Sequence, residues 1–370
     1  MSPPASSTHP VLAAHTNASL RSWDAAYAAR EAAYAAGPHP KELVAPLVLF
    51  TIPRGGGSLS PVALQLFPDG HGGARYPVFA PRDGTRWLAA KLAVGAADGN
   101  VHEAIAHLGT THLVQEAFML AMHNCLAPRH PLNRLLAPHF EGTVNINAAA
   151  DAALVSPNGS VDHLLMPTIG SMGYVHHYYA EDGDVVADAE LQAFVAQVGA
   201  YQVEDARGRQ VGGGIAGVGE GDRGAVSTRA DLVQMITQII WNGGAQHAAV
   251  NFPQAHEMAY APMCSLALMG PTPTGAGFDD AALLRMLTAR ELAGEQFAIL
   301  DLLGSVYHTQ LGHYPSKPGR GCFGRGPVHE LELALRVRLA NVERTIDARN
   351  LERPSYRYLR PSEIPQSINI

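Results

Sequence analysis

The chain has 370 residues, 47% of them hydrophobic and 16% charged, with a formal net charge of -7. This excludes a disordered polymer and allows one large core or two smaller ones. It also offers no basic footprint for nucleic acid, although a single local Arg or Lys would serve a carboxylate substrate.

From the N-terminus, residues 1–18 read as disordered, with no basic flank before an apolar run, so no secretory signal is expected. Residues 19–36 read as an Ala-rich helix stopped by Gly37 and Pro38. Two short apolar runs, 43–51 and 61–67, are bounded by Gly55-Gly56-Gly57 and Asp69-Gly70 and predict two strands with turns. A long helical pattern covers 86–97 and 101–126, with a break expected at Gly99 and an end near Pro128. Residues 155–180 are rich in Gly, Pro and Ser, 188–201 are helical again, and 206–224 read as a Gly-rich loop. Helices follow over 229–251, 279–313 and 327–349, and then a polar tail closes on an apolar residue, Ile370.

Helical periodicity dominates. The expected fold class is mainly α, a large single-domain helical bundle with a few short strands near the N-terminus. Residues 1–43 form an extension and 44–370 the main domain. No stretch reaches the about 20 apolar residues that cross a bilayer, so a cytoplasmic protein is expected. Cys125, Cys264 and Cys322 are too few and too scattered for a disulfide framework or a C-x-x-C zinc site. Asn17 and Asn158 match the glycosylation pattern by chance. Gly212–Gly217 matches G-x-G-x-x-G, but a polar segment precedes it and more glycine follows, so it reads as a surface loop.

Chemistry concentrates in two clusters among the eighteen histidines. The segment 102–112 places His102, His107 and His112 at intervals of five. In an α-helix residues five apart lie roughly 140° apart around the axis, too far to meet one ion. A π-type turn brings them onto one face, and such turns occur at functional sites. A π distortion near Ile105–Thr110 is therefore required, helped by the weak helix formers Gly109, Thr110 and Thr111. His247 and Asn251, four apart, lie on one face of an ordinary helix, and Gly243 and Gly244 permit a kink before them. Any one of these histidines alone reads best as a core or surface residue. The combined set suits an oxygen-activating iron better than a structural zinc.

These residues resemble the lipoxygenases. The family signature, His-x4-His-x4-His-x17-His-x8-His, is met by His102, His107, His112, His130 and His139. The segments THLVQEAF, HPLNRLL, NINAAA, QHAAVNFPQ and the closing SINI fit as well, over about residues 44–370. The resemblance implies a non-haem iron, with manganese as an alternative, buried in a helix pair. His107, His112, His247, Asn251 and the terminal carboxylate of Ile370 would hold it, and His102, His130 and His139 would be structural. It implies hydrogen abstraction from the Z,Z-1,4-pentadiene of a polyunsaturated fatty acid and addition of O2 to give a hydroperoxide. Ala150 resembles the residue of S-stereospecific enzymes. Leu154 and Leu303 would clamp the pentadiene, though both read equally well as core leucines. Gln254 would support the ligands by hydrogen bonding, and its usual glutamine partner is replaced by Glu103.

Two departures follow from the same resemblance. The sequence leaves no room for the family's membrane-binding N-terminal β-barrel. It also lacks a normally helical segment between Leu154 and Tyr174 that walls the substrate channel. That loss would open the channel mouth or expose an apolar patch favouring dimers or transient membrane contact. The alternatives are a hydroperoxide isomerase on the same fold, a non-catalytic iron- or lipid-binding protein, and a zinc hydrolase, the last disfavoured by Asn251.

Overall fold

Local sequence sets most element boundaries in the computed structural model. It describes residues 41, 44–54, 57–68, 76–155, 159–166, 202–204, 210–212, 229–275, 277–305, 309–314 and 327–370. Strands β1 (Leu47–Thr51) and β2 (Ser60–Gln65) pair antiparallel, as the two apolar runs predict, with a register shift between Leu49 and Phe50. Gln202–Glu204 and Gln210–Gly212 pair antiparallel as β3 and β4, so part of the expected Gly-rich loop is strand. The expected helices at 19–36 and 188–201 lie outside the described residues.

The helices are α1 (Thr85–Asn100), α2 (Val114–Cys125), α3 (Pro131–Leu136), α4 (Thr143–Ala150), α5 (Ser160–Leu164), α6 (Arg229–Trp241), α7 (His247–Asn251), α8 (Gln254–Glu257), α9 (Asp280–Met286), α10 (Arg290–Gly304) and α11 (Pro327–Asn350). Among the described residues three segments are π-helical: Val101–Leu113, Asp151–Val155 and Asn242–Gln246. Gly99 does not break the helix, because it lies within α1. The expected helix over 279–313 is instead two. α9, capped by Asp279 Oδ1 accepting from the Ala282 amide at 2.8 Å, ends where Leu287 turns extended.

The chain forms two compact units. One takes the residues up to Gly99 with Tyr260–Phe297. There the Leu64 and Phe79 backbones exchange hydrogen bonds of 3.0 and 2.8 Å, and the buried Tyr76 hydroxyl donates to the Pro273 carbonyl at 2.9 Å. The other unit takes Asn100–Ala259 and Ala298–Ile370. One of its cores gathers Met119, Met122, Leu136, Phe140 and Ile239, and a second gathers Ala245, Ala248, Phe252, Tyr358 and Ile364, with Ile370 packed on it. All the residues of the histidine cluster belong to this second unit. Among the described residues no helix is long and apolar enough to cross a membrane.

Candidate metal centre

The required distortion is present and longer than a single turn, since the backbone is π-helical over all of Val101–Leu113. Its i to i+5 pattern turns His107 and His112 to one side. The threonines support the segment. Thr110 Oγ1 donates to the Ala106 carbonyl at 2.8 Å, and Thr111 Oγ1 donates to the His107 carbonyl. His102 does not join them. Its Nε2 donates to the Val250 carbonyl at 2.6 Å, tying this helix to the one that carries His247.

The second helix is held close by small residues. A Cβ on Gly243 would stand 2.9 Å from Gln115 Cδ. With none there, the fully buried Gln115 reaches across, donating to the Ile239 carbonyl at 3.2 Å and accepting from Asn242 Nδ2 at 3.4 Å. Gln246 Nε2 donates to Thr110 Oγ1 at 3.3 Å, a second tie between the two helices.

The outcome is a buried convergence. His107, His112 and His247 each bring one ring nitrogen to within 4.8 Å of the others. Nε2 of His112 stands 3.1 Å from Nε2 of His107 and 3.2 Å from Nε2 of His247. Burial, reinforced by the neighbouring imidazoles, holds His247 well below the usual imidazole range. Burial first, and then nearby imidazole charge, lowers His107 and His112 to about 3. All three are neutral near neutrality, each with a lone pair to give.

The tautomer of His112 is fixed by its surroundings. Asn147 Nδ2 donates to the His112 carbonyl at 3.1 Å and to Glu116 Oε2 at 2.6 Å, so its Oδ1 must be the acceptor for His112 Nδ1–H at 2.9 Å. His112 Nε2 is then a bare acceptor with one lone pair, facing two imidazole nitrogens at once. An N–H could satisfy one of those contacts; one cation can satisfy both. Nitrogens bound to one metal at about 2.1 Å and at right angles stand about 3.0 Å apart, close to the spacings seen. The residues present therefore fit a metal ion, and imidazole donors without thiolate suit iron.

Around His107 Nδ1 lie Gln254 Nε2 at 3.0 Å and Glu103 Oε2 at 3.3 Å. Gln254 Nε2 also donates to the Val250 carbonyl at 3.2 Å and reaches Asn251 Oδ1 at 3.4 Å, so one amide touches both His107 and Asn251. Burial, opposed by His102, raises Glu103 to about 7. Asn251 is fully buried, and its Nδ2 donates to the Leu303 carbonyl at 2.8 Å, leaving Oδ1 as its donor atom. Among the described residues His247 Nδ1, Glu103 Oε1 and Gln254 Oε1 are buried without hydrogen-bond partners.

The remaining expected residues sit on the same unit. Ile370 packs against the core cluster of Ala245, Ala248, Phe252, Tyr358 and Ile364, part of which lies on the helix that bears His247. Ala150 is the buried last residue of α4, the helix whose Asn147 holds His112. Leu154 lies half-buried in the π-helix Asp151–Val155, and Leu303 is half-buried near the end of α10. Sequence reasoning assigned no role to Asn147, Glu116 or Gln115. The polar asparagines of NINAAA, interleaved with apolar and small residues, were the available signal.

The fold and the cluster define a helical protein whose interior can hold a metal on neutral imidazoles. The lipoxygenase family model matches residues 46–173 and 168–357, and the chain belongs to that family. It is 34% identical to the linoleate 9/13-lipoxygenase of Pseudomonas aeruginosa, over 88% of this chain and 55% of that protein. It is 29% identical to the human hydroperoxide isomerase ALOXE3, over 89% of this chain and 52% of that one. A solved calcium-dependent 11R-lipoxygenase shares the fold at a TM-score of 0.70 and 23% identity, over 90% of this chain and 55% of that chain. The chain thus spans about half the length of the relatives it matches.

Proposed function

We propose that the chain holds one non-haem iron on His107, His112, His247, Asn251 and the terminal carboxylate of Ile370. It uses the iron to add O2 to the Z,Z-1,4-pentadiene of a polyunsaturated fatty acid, giving an S-hydroperoxide. The observation that carries the reading is the bare His112 Nε2 facing two neutral imidazole nitrogens at 3.1 and 3.2 Å. The bound iron would supply a one-electron acceptor for hydrogen abstraction. The protein's own part is to keep the three lone pairs pointed inward, to hold Asn251 through Leu303 and Gln254, and to keep bulk water from the buried ring cluster, where a radical would otherwise be lost. In this proposal Leu154 and Leu303 clamp the pentadiene, and Ala150 leaves the space that sets the S face. Linoleate, the substrate in the name of the Pseudomonas relative, is the first substrate to try.

The test combines metal analysis, O2 uptake and conjugated-diene formation with linoleate, and chiral chromatography of the product. Iron near one per chain with S-hydroperoxide is the expected result. The similarity to a hydroperoxide isomerase supplies a second reading. Consumption of linoleate hydroperoxide without O2 uptake from linoleate would select it over the first.

A further inference from the structure

Final residues of a domain are ordinarily poorly ordered unless something ties them down. Here four successive residues near the C-terminus are each engaged by one short segment, His139–Thr143. His139 Nδ1 donates to the Gln366 carbonyl at 2.9 Å. Ser367 Oγ donates to the Glu141 carbonyl at 2.8 Å, and Thr143 Oγ1 donates to the Ile368 carbonyl at 3.0 Å. Gly142, at φ +85°, leaves room for Asn369, whose Cβ would stand 2.9 Å from any Cβ placed there. On the opposite edge the Gln366 amide donates to the Thr309 carbonyl at 2.7 Å. The Gln366 side chain accepts from the Gly312 amide at 2.8 Å and donates to the His313 carbonyl at 3.1 Å. His139, Thr143, Gln366 and Ile368 are all fully buried.

The hydrogen bonds have one consistent direction. The Gln366 carbonyl can only accept, so His139 carries its proton on Nδ1, and its Nε2 accepts from the Tyr314 hydroxyl at 2.9 Å. None of these bonds involves the three ring nitrogens of the metal centre. The segment 139–143 also leads directly into α4, which carries Asn147, the partner of His112. One stretch of chain therefore sets both a histidine ligand and the path of the tail.

We propose that His139–Thr143 is a preformed dock: it holds Gln366–Asn369 in register before any metal arrives and so presents the carboxylate of residue 370 to the histidines. His139, Gly142 and Thr143 are then positioning residues for the metal centre. The inference rests on the reading that Ile370 contributes a ligand. Its physical advantage is preorganisation, because a terminal carboxylate already in place loses little freedom when it binds.

The experiment uses the full chain and ferrous iron under anaerobic conditions, with three readouts: amide exchange over 366–369 in the metal-free protein, iron affinity, and global stability. Native tail amides should be protected without metal. His139→Ala and Gly142→Ala should speed their exchange at least about tenfold and weaken iron binding about 10- to 100-fold, as loss of ligand-supporting contacts does. Should either fail to fold, Thr143→Val removes a single hydroxyl, and Thr143→Ser should restore both tail protection and iron affinity at the native level. Tail amides that exchange like a free peptide in the metal-free native chain would overturn the dock. So would variants that free the tail yet bind iron normally while deletion of Ile370 abolishes binding. If deletion of Ile370 leaves iron binding intact, the terminal-ligand reading fails and takes the inference with it.

Discussion

Asn147 shows what a single side chain contributes to the centre. Its two amide protons are committed to the His112 carbonyl and Glu116, which forces its oxygen onto His112 Nδ1–H. Asn147→Leu, close in volume, removes that acceptor and frees the imidazole to turn or to adopt the other tautomer. Iron affinity should fall about 10- to 100-fold, read by competition with a chelator of known affinity. An unchanged affinity would show that His112 orients itself. The meeting of His107 and His112 was legible in the sequence because residues five apart share a face only on a distorted helix, although the same spacing also singled out His102, which bonds the Val250 carbonyl instead. Asn147 was not, because its role depends on the His112 carbonyl and Glu116, one stretch of chain that only the tertiary fold brings to it. His139 allows a pH prediction at the same scale. Burial, offset in part by its bond to the Gln366 carbonyl, lowers it to about 4 from 6.5. The folded state therefore refuses a proton that the unfolded state accepts below its own value. The stability from a neutral His139 is complete above pH 6.5 and is lost as the pH falls toward 4. At about pH 5 the loss is about 2 kcal/mol. Urea unfolding of the metal-free native chain and His139→Asn should show the gap between them narrowing by about that amount between about pH 7.5 and 5. A constant gap would mean that His139 titrates alike in both states.

Periodicity and punctuation set the elements where they agree, and tertiary contacts decide the rest. β1, β2, α6 and α11 fall where their patterns predict. The single helix expected over 279–313 splits because Leu287 is extended, and Thr288 Oγ1 donates to the Ala267 carbonyl at 3.2 Å. Thr288-Ala-Arg-Glu291 carries the S/T-x-x-E pattern of a helix start, a signal available in the sequence. The π-helix over 101–113 was foreseen only as a local distortion, since spacing reports that residues five apart must meet and not how far the widened turns extend. The companion π-helix, Asn242–Gln246, depends on Gly243. Gly243→Ala gains about 1 kcal/mol of helix propensity but drives a methyl into the buried Gln115 amide, at a cost of about 1–3 kcal/mol plus its two hydrogen bonds. The net expectation is a loss of stability and of iron affinity. The double variant Gln115→Ala, Gly243→Ala should recover part of the stability relative to the additive sum, and a chemical-denaturation cycle measures it. Strict additivity would mean that the two residues do not compete for the same space.

At the scale of the whole molecule, the sequence indicated a helical protein but not its division into two units, because each unit takes residues from two separate stretches of chain. Nothing in local periodicity reports that Tyr260–Phe297 belongs with the residues before Asn100. That division makes the consequence of metal removal specific. Every ligand candidate lies in the unit formed by Asn100–Ala259 and Ala298–Ile370. Without a cation, the single lone pair of His112 Nε2 faces two imidazole nitrogens and can accept only one well-directed N–H. A metal that binds only the folded state stabilises it by about 2.7 kcal/mol when present at 100 times its dissociation constant. Chelation should therefore lower the melting temperature, and it should speed amide exchange in 101–113 and 242–251. Exchange along β1, β2 and the Leu64–Phe79 pairing of the other unit should stay as it was. Equal loosening of both units would show that the ion holds the fold together as a whole. No loosening in 101–113 and 242–251 would show that the two π-helices keep the histidines in place without it.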